Sequence, residues 1–363
     1  LTPLTKQQIV ALDGIRGVAV ILVLLSHLSG FGFHLLPGMD FQGIGKAGVY
    51  LFFVLSAWLL THQALSELDR SGWTTSYWAG YLLRRCLRIL PLYSLVLMFS
   101  VVATRQNLGV YAIPLSEGEA LDHLFMLEGR SVFWAIPVEF LFYGVLPFVL
   151  MATVAAGRKS PTLAFALLTG LTILPLVLPW GGVYSRNTIN LWAYWPTFMI
   201  GMLLAYAGSV NHRTIKRLLI ARGSIIPVVA IAAVITTIPS ISKLLFSRFS
   251  GAPITPEFFH GWVIFYAVLW GIILTSMLLG PDWIGRALGV MPLAWTGRIS
   301  FSIYLLHLPI IRGVSMLDLA SDVASGWIVV ALSIGLSSIT FSIIEKPAMG
   351  LGRHLTNRQR RTT

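Results

Sequence analysis

The amino-acid sequence points to an all-α fold, a polytopic membrane helical bundle of about ten transmembrane helices. Three observations carry that expectation. Of 363 residues, 56% are hydrophobic and only 11% are charged, where soluble domains carry about 25% charged residues. The mean hydropathy of +0.79 comes from long apolar runs rather than from an even spread, and runs of roughly 20 residues cross a hydrocarbon core as helices. No run shows the short alternating segments of a membrane barrel.

In chain order, the apolar segments fall near 11–33, 47–65, 88–104, 131–154, 162–180, 192–209, 223–240, 258–280, 298–314 and 326–345, with ends placed to roughly 2–4 residues. The first is read as a retained span rather than a cleavable signal, because it carries Arg16 and His27 and lacks a small-residue cleavage site. With a cytoplasmic N-terminus, nineteen of the 26 Lys and Arg lie at or near the cytoplasmic face. The other face receives Lys46, Arg105, Arg130, Arg186, Lys243, Arg248 and Arg312. That asymmetry predicts both termini in the cytoplasm and a multi-pass protein of the cell inner (plasma) membrane. It also assigns the net charge of +12 to helix ends beside anionic lipid, with no nucleic-acid partner.

The connections are short. Residues 105–130, with Glu117, Glu119, Asp122 and Glu128, read as a solvated acidic loop. The stretch "HRTIKRLLIAR", 212–222, reads as a basic interfacial helix. Absence of an internal repeat weakens a transporter built from inverted halves. The single Cys86 excludes an internal disulfide and a cysteine-built zinc site, and no metal site is expected.

Ionisable residues inside the spans are the functional candidates. In "IRGVAVILVLLSHL", Arg16 and His27 stand eleven positions apart, about 16 Å and about three turns along a helix, so they share a face. A snorkelling anchor and a packed histidine are the plain alternatives. In "VFWAIPVEFLFYGVLP", Glu139 lies about 12 Å below Ser131, a depth comparable with His27. A carboxylate there needs a partner or a proton. In "SFSIYLLHLP", Ser300, Tyr304 and His307 occupy i, i+4 and i+7 of one helical face. "LLRRCLRILPLY" supplies Arg84, Arg85 and Arg88, which serve either as positive-inside anchors or as a clamp for phosphates, since guanidinium forks bind phosphate bidentately.

Together with "GVYLFFVLSAWLL", "FMIGMLLAY" and "SIIEKP", these motifs follow one another in the order seen in the acyltransferase-3 family, which the chain resembles over almost its whole length. The Arg16-x10-His27 spacing is that family's hallmark. One departure is Ala57, where the family usually has Gly after "FFVLS"; its methyl group is expected to alter helix packing rather than chemistry.

The resemblance implies a membrane O-acyltransferase, with 1–353 as the acyltransferase-3 transmembrane domain and 354–363 as a basic cytoplasmic tail. It implies acyl-CoA, as acetyl-CoA in the family's usual chemistry, as donor substrate, with no permanently bound cofactor. The acceptor is a saccharide or lipid-linked glycan at the far face, with a macrolide or a lipid as the alternative. In that chemistry His27 is the base for the acceptor hydroxyl, or else carries the acyl group itself. Glu139 is expected beside it, orienting the ring and raising its basicity. Arg16 would guide the donor's phosphates or polarise the thioester. Arg84, Arg85 and Arg88 would hold the nucleotide, and Ser300, Tyr304 and His307 the acceptor. Two readings from other classes stand beside this one: a proton-coupled transporter or flippase with His27, Glu139 and His307 as a relay, and a non-catalytic acyl-CoA or lipid sensor. The oligomeric state is not written in the sequence.

The charge asymmetry is tested by labelling. Cysteines introduced at Ser116 and at Thr363 should react from opposite sides of the membrane in intact cells; labelling of both from outside would overturn the ten-span topology.

Overall fold

The computed structural model describes residues 3–178, 187–221, 224–250, 255 and 258–362. The protein is 81% helical, with no strand among the described residues. In chain order the helices are α1 (Lys6–Gly30), α2 (Gly45–Ser71), α3 (Thr75–Arg105), α4 (Glu117–Leu124), α5 (Ala135–Lys159), α6 (Pro161–Val177), α7 (Leu191–Ala221), α8 (Ile225–Thr236), α9 (Pro239–Ser250), α10 (Val263–Leu279), α11 (Asp282–Leu288), α12 (Met291–Arg298), α13 (Ser300–Ser315), α14 (Asp322–Thr340) and α15 (Lys346–Thr362). A tight 3-10 turn, Ser131–Trp134, leads into α5, and a widened π turn, Phe341–Glu345, joins α14 to α15.

Every apolar segment read from the sequence is largely helical where it is described, and the protein is a polytopic helical membrane protein. Among the described residues, five helices are long and apolar enough to cross a bilayer, or up to seven if the bent pairs α8/α9 (93°) and α10/α11 (106°) each count as one span. α6, at 17 residues, is apolar but shorter. Large hydrophobic side chains point outward along the periphery, among them Met98, Phe99 and Val102 of α3, Phe148 and Met151 of α5, and Trp327 and Ile339 of α14. Such a belt suits lipid rather than water.

The stretch 212–222, as far as it is described, is a helical piece ending at Ala221 and set off from the rest of α7 by a kink at Asn211. Two features of the connections differ from the sequence reading. The boundary read at 353 falls inside α15, whose Thr356 is buried against Gly80 of α3. The acidic loop contains α4, started by a capping box between Ser116 and Glu119. Arg130 pairs with Glu119 at 2.7 Å and with Glu128 at 3.2 Å. The Ser116 backbone N–H and hydroxyl, and then Arg130, hold the Glu119 carboxyl down to about 2.

α2 lies at the centre: 72% of its most apolar window is buried, against 17% for residues 322–356. Around it, stacked rings form the core, with Phe198 of α7 lying 4.7 Å from Phe53 of α2 and 4.2 Å from Phe142 of α5. The Ala57 methyl turns into this packing. It sits 2.7 Å from where a Cβ on Gly201 of α7 would stand, so the missing side chain at Gly201 makes room for it.

α1 and α12 cross backbone to backbone. A Cβ on Gly297 would stand 1.7 Å from the Asp13 carbonyl oxygen, and one on Gly17 would stand 2.3 Å from that of Leu293. Gly297→Ala must therefore push α12 off α1. It should lower stability by about 1–3 kcal/mol, the usual cost of overpacking, in thermal unfolding of the detergent-solubilised protein. Gly144→Ala on α5, where the added methyl meets nothing within 4 Å, should leave stability unchanged or slightly raised.

Candidate functional site

Two cavities adjoin in the middle of the bundle. One, of about 160 Å³, is lined by Arg16, Arg85, Arg88, Ser56, Glu139, Tyr143 and Ser300. The other, of about 330 Å³, is lined by His27, Ser26, Lys46, Trp134, Asn187 and His260. Val49 and Tyr304 line both. The three-turn spacing of Arg16 and His27 thus places one residue in each: an arginine cavity and a histidine cavity, end to end along α1.

On α3, Arg85 and Arg88 stand one turn apart and both reach the arginine cavity. Arg84 does not; one residue turns a helix by about 100°, and Arg84 lines a separate pocket with His62, Gln63 and Tyr77. Arg16 is ion-paired with Asp13 at 3.1 Å, and the second oxygen of Asp13 takes Arg298 at 3.1 Å. One carboxylate therefore joins α1 to the end of α12 and fixes the guanidinium of Arg16. Arg85 stacks near the Tyr143 ring, 6.0 Å from its centroid, with its Nε lacking a hydrogen-bond partner among the described residues.

The histidines form a pair. His27 Nδ1 lies 2.9 Å from the Val23 carbonyl and 3.2 Å from His307 Nε2, while His307 Nδ1 lies 3.1 Å from the Ile303 carbonyl. A neutral imidazole has one N–H, and the network assigns it. His307 donates from Nδ1 to Ile303, which leaves its Nε2 as an acceptor. His27 donates from Nδ1 to Val23 and His307 together. Its Nε2 then carries a free lone pair on a ring that lines the histidine cavity.

Two expected positions change. Glu139 is not beside His27: it accepts the Ser56 hydroxyl at 2.7 Å, in the arginine cavity. Equal depth in the membrane does not make two helices neighbours. His307 does not line either cavity; it is fully buried behind His27 and occupies the orienting position expected of Glu139. Ser300 and Tyr304 do line the cavities, and the Tyr304 hydroxyl is tied to the Val132 carbonyl. Asp13, Ser56 and Lys46 were missed. Asp13 had a signal, an acid one turn before Arg16 in "LDGIR". Lys46 had none: it reads as a helix-end anchor, yet it is buried in the histidine cavity.

With this geometry in hand, the comparisons with known proteins are specific. The acyltransferase-3 family model, described as "Acyltransferase domain", matches residues 9–344. The chain belongs to that family. It is 25% identical to the peptidoglycan O-acetyltransferase OatA of Listeria monocytogenes, over 95% of this chain and 56% of that protein. It is 23% identical to a putative O-acetyltransferase of Staphylococcus aureus, over 93% of this chain and 56% of that protein. It is 22% identical to the putative peptidoglycan O-acetyltransferase YrhL of Bacillus subtilis, over 93% and 54% respectively. The chain thus spans little more than half the length of the curated relatives it matches. No solved structure matches it.

The tautomer assignment is directly measurable. Nitrogen-15 NMR of histidine-labelled protein should show both His27 and His307 as Nδ1–H tautomers, and His307→Ala should release the His27 ring to exchange between its two forms. A Nε2–H tautomer at His27 would overturn the arrangement.

Proposed function

We propose that this chain is an integral membrane O-acyltransferase that moves an acyl group, acetyl in the simplest case, from cytoplasmic acyl-CoA to a hydroxyl of a cell-envelope saccharide. The observation that carries this reading is the pair of adjoining cavities, with Arg16, Arg85 and Arg88 on one side of Tyr304 and the free Nε2 of His27 on the other. The peptidoglycan O-acetyltransferase names of the relatives support a cell-wall glycan as acceptor. The arginine cavity then faces the cytoplasm of the plasma membrane, with both termini on that side.

In this mechanism the guanidinium forks of Arg85 and Arg88 bind the donor's nucleotide phosphates. The pantetheine arm runs along the α1 face from Arg16 past Tyr304, so that the thioester carbonyl arrives at His27. As general base, His27 Nε2 takes the proton of the acceptor hydroxyl while that oxygen attacks the thioester carbon. The tetrahedral intermediate collapses with cleavage of the C–S bond, and the departing sulfur receives the proton from the imidazolium. His307 steadies the His27 ring through Nδ1. Glu139, held by Ser56, offsets part of the charge in the arginine cavity.

Purified full chain supplied with acetyl-CoA and a peptidoglycan-derived glycan should release coenzyme A and form an O-acetyl ester detectable by mass spectrometry; a transporter or a sensor would release none. His27→Ala should lower turnover by about 10² or more with donor binding retained. Arg85→Lys and Arg88→Lys should insert normally and weaken acyl-CoA binding by about 1–3 kcal/mol, with a much smaller effect on a truncated thioester lacking the nucleotide. Equal loss for both donors would remove the phosphate clamp from the mechanism.

A further inference from the structure

Among the described residues, Lys46 is the one lysine or arginine that lines the histidine cavity, and the acyl-transfer chemistry does not use it. It lies in the first turn of α2, is only 9% exposed, and its Nζ has no hydrogen-bond partner among the described residues. What it does touch is aromatic: Nζ stands 5.0 Å from the centroid of the Trp134 ring and 5.6 Å from that of Tyr194. Ring faces attract a cation, but they supply no anion, and a buried ammonium is costly to leave without one. The carboxylate of Glu139 lies in the other cavity, hydrogen-bonded to Ser56. No carboxylate lines the histidine cavity among the described residues, so a ligand is the source of an oxyanion that satisfies Lys46 beside His27.

The surroundings restrict that ligand. Trp134 lines the cavity beside Lys46 and is braced by Tyr194, with ring centroids 4.6 Å apart. With the Trp134 ring buried between these contacts, polar groups on the cavity wall such as Lys46, Asn187 and His260 set a ligand's orientation. The cavity, at about 330 Å³, is within the range of small-molecule sites.

We propose that Lys46 is the anion-recognition residue of the acceptor site, and that the acceptor is an acidic saccharide whose oxyanion pairs with Lys46. This deepens the acyl-transfer reading and rests on it. The oxyanion is a carboxylate on the sugar or the phosphate of a lipid carrier, which share this chemistry. In either case the ion pair anchors one end of the acceptor and leaves a hydroxyl to approach His27.

Isothermal titration of the purified full chain separates these sources without donor or turnover. The probes are the disaccharide N-acetylglucosaminyl-N-acetylmuramic acid, its methyl ester, and a short polyprenyl phosphate. The acid should bind at least about tenfold more tightly than the ester, the scale of one charge-assisted contact. Lys46→Met should bring that ratio close to one, and Lys46→Arg should retain most of it. Binding of the polyprenyl phosphate that is lost in Lys46→Met would support the same site with lipid phosphate as the source. Equal binding of acid and ester by the unaltered protein, together with phosphate binding indifferent to Lys46→Met, would overturn the proposal. So would an acid-to-ester ratio that survives Lys46→Met. If Lys46→Met fails to fold, equal binding of acid and ester together with no binding of the polyprenyl phosphate by the unaltered protein would overturn the proposal without it. Failure of acyl transfer itself would appear separately, as no coenzyme A released from acetyl-CoA.

Discussion

Helix α1 carries an acid, a guanidinium and an imidazole through an apolar bundle, and lipid offers none of them a partner. Each must therefore be met by another part of the protein. Asp13 holds Arg16 within its own helix and Arg298 at the end of α12. His27 meets His307 of α13. Ser26 and Ser29 accept the backbone N–H groups of Gly43 and Phe41, which brings the chain back toward α2. Satisfying the polar groups of one helix thus sets the positions of its neighbours, and the site is assembled by the same contacts.

Those contacts need helices that come very close. Gly17 and Gly297 let α1 and α12 meet with no side chain between them, and Gly201 does the same for α2 and α7. The motif "LDGIRG" can be read residue by residue in these terms. Asp13 bridges two arginines, Gly14 and Gly17 admit carbonyl oxygens of the 288–293 region, and Arg16 enters the cavity. Packing and chemistry are therefore inseparable along this stretch, because moving α12 away from α1 also moves the carboxylate that fixes Arg16.

In the proposed mechanism the two cavities keep opposite jobs apart. Arginines that suit phosphate stand on one side of Tyr304, and a neutral histidine pair whose free nitrogen suits a proton stands on the other. A guanidinium beside the base would disfavour its protonation, so separation by three turns of α1 protects the function of each. Lys46 is the exception, a cation in the histidine cavity held against ring faces rather than against a carboxylate.

Periodicity and composition by themselves determined the helical membrane class and the positions of the apolar segments, since these depend on local hydrophobic runs; the family was legible from the resemblance of the ordered motifs. They also determined that Arg16 and His27 share a face, because helical geometry relates residues within one segment. Partners between helices were decided only by tertiary structure. Glu139 and His27 have matching depths but belong to different cavities, while His307, from a helix almost at the end of the chain, lies against His27. Arg84 and Arg85 are adjacent in sequence and part company in space. Lys46 looks like a surface anchor in the sequence, and only the packing of the Ser131–Trp134 turn over α2 encloses it. A single chain of letters records which residues can line a face; which face meets which is set by the fit of whole helices, through glycine contacts and buried polar pairs that no local pattern encodes.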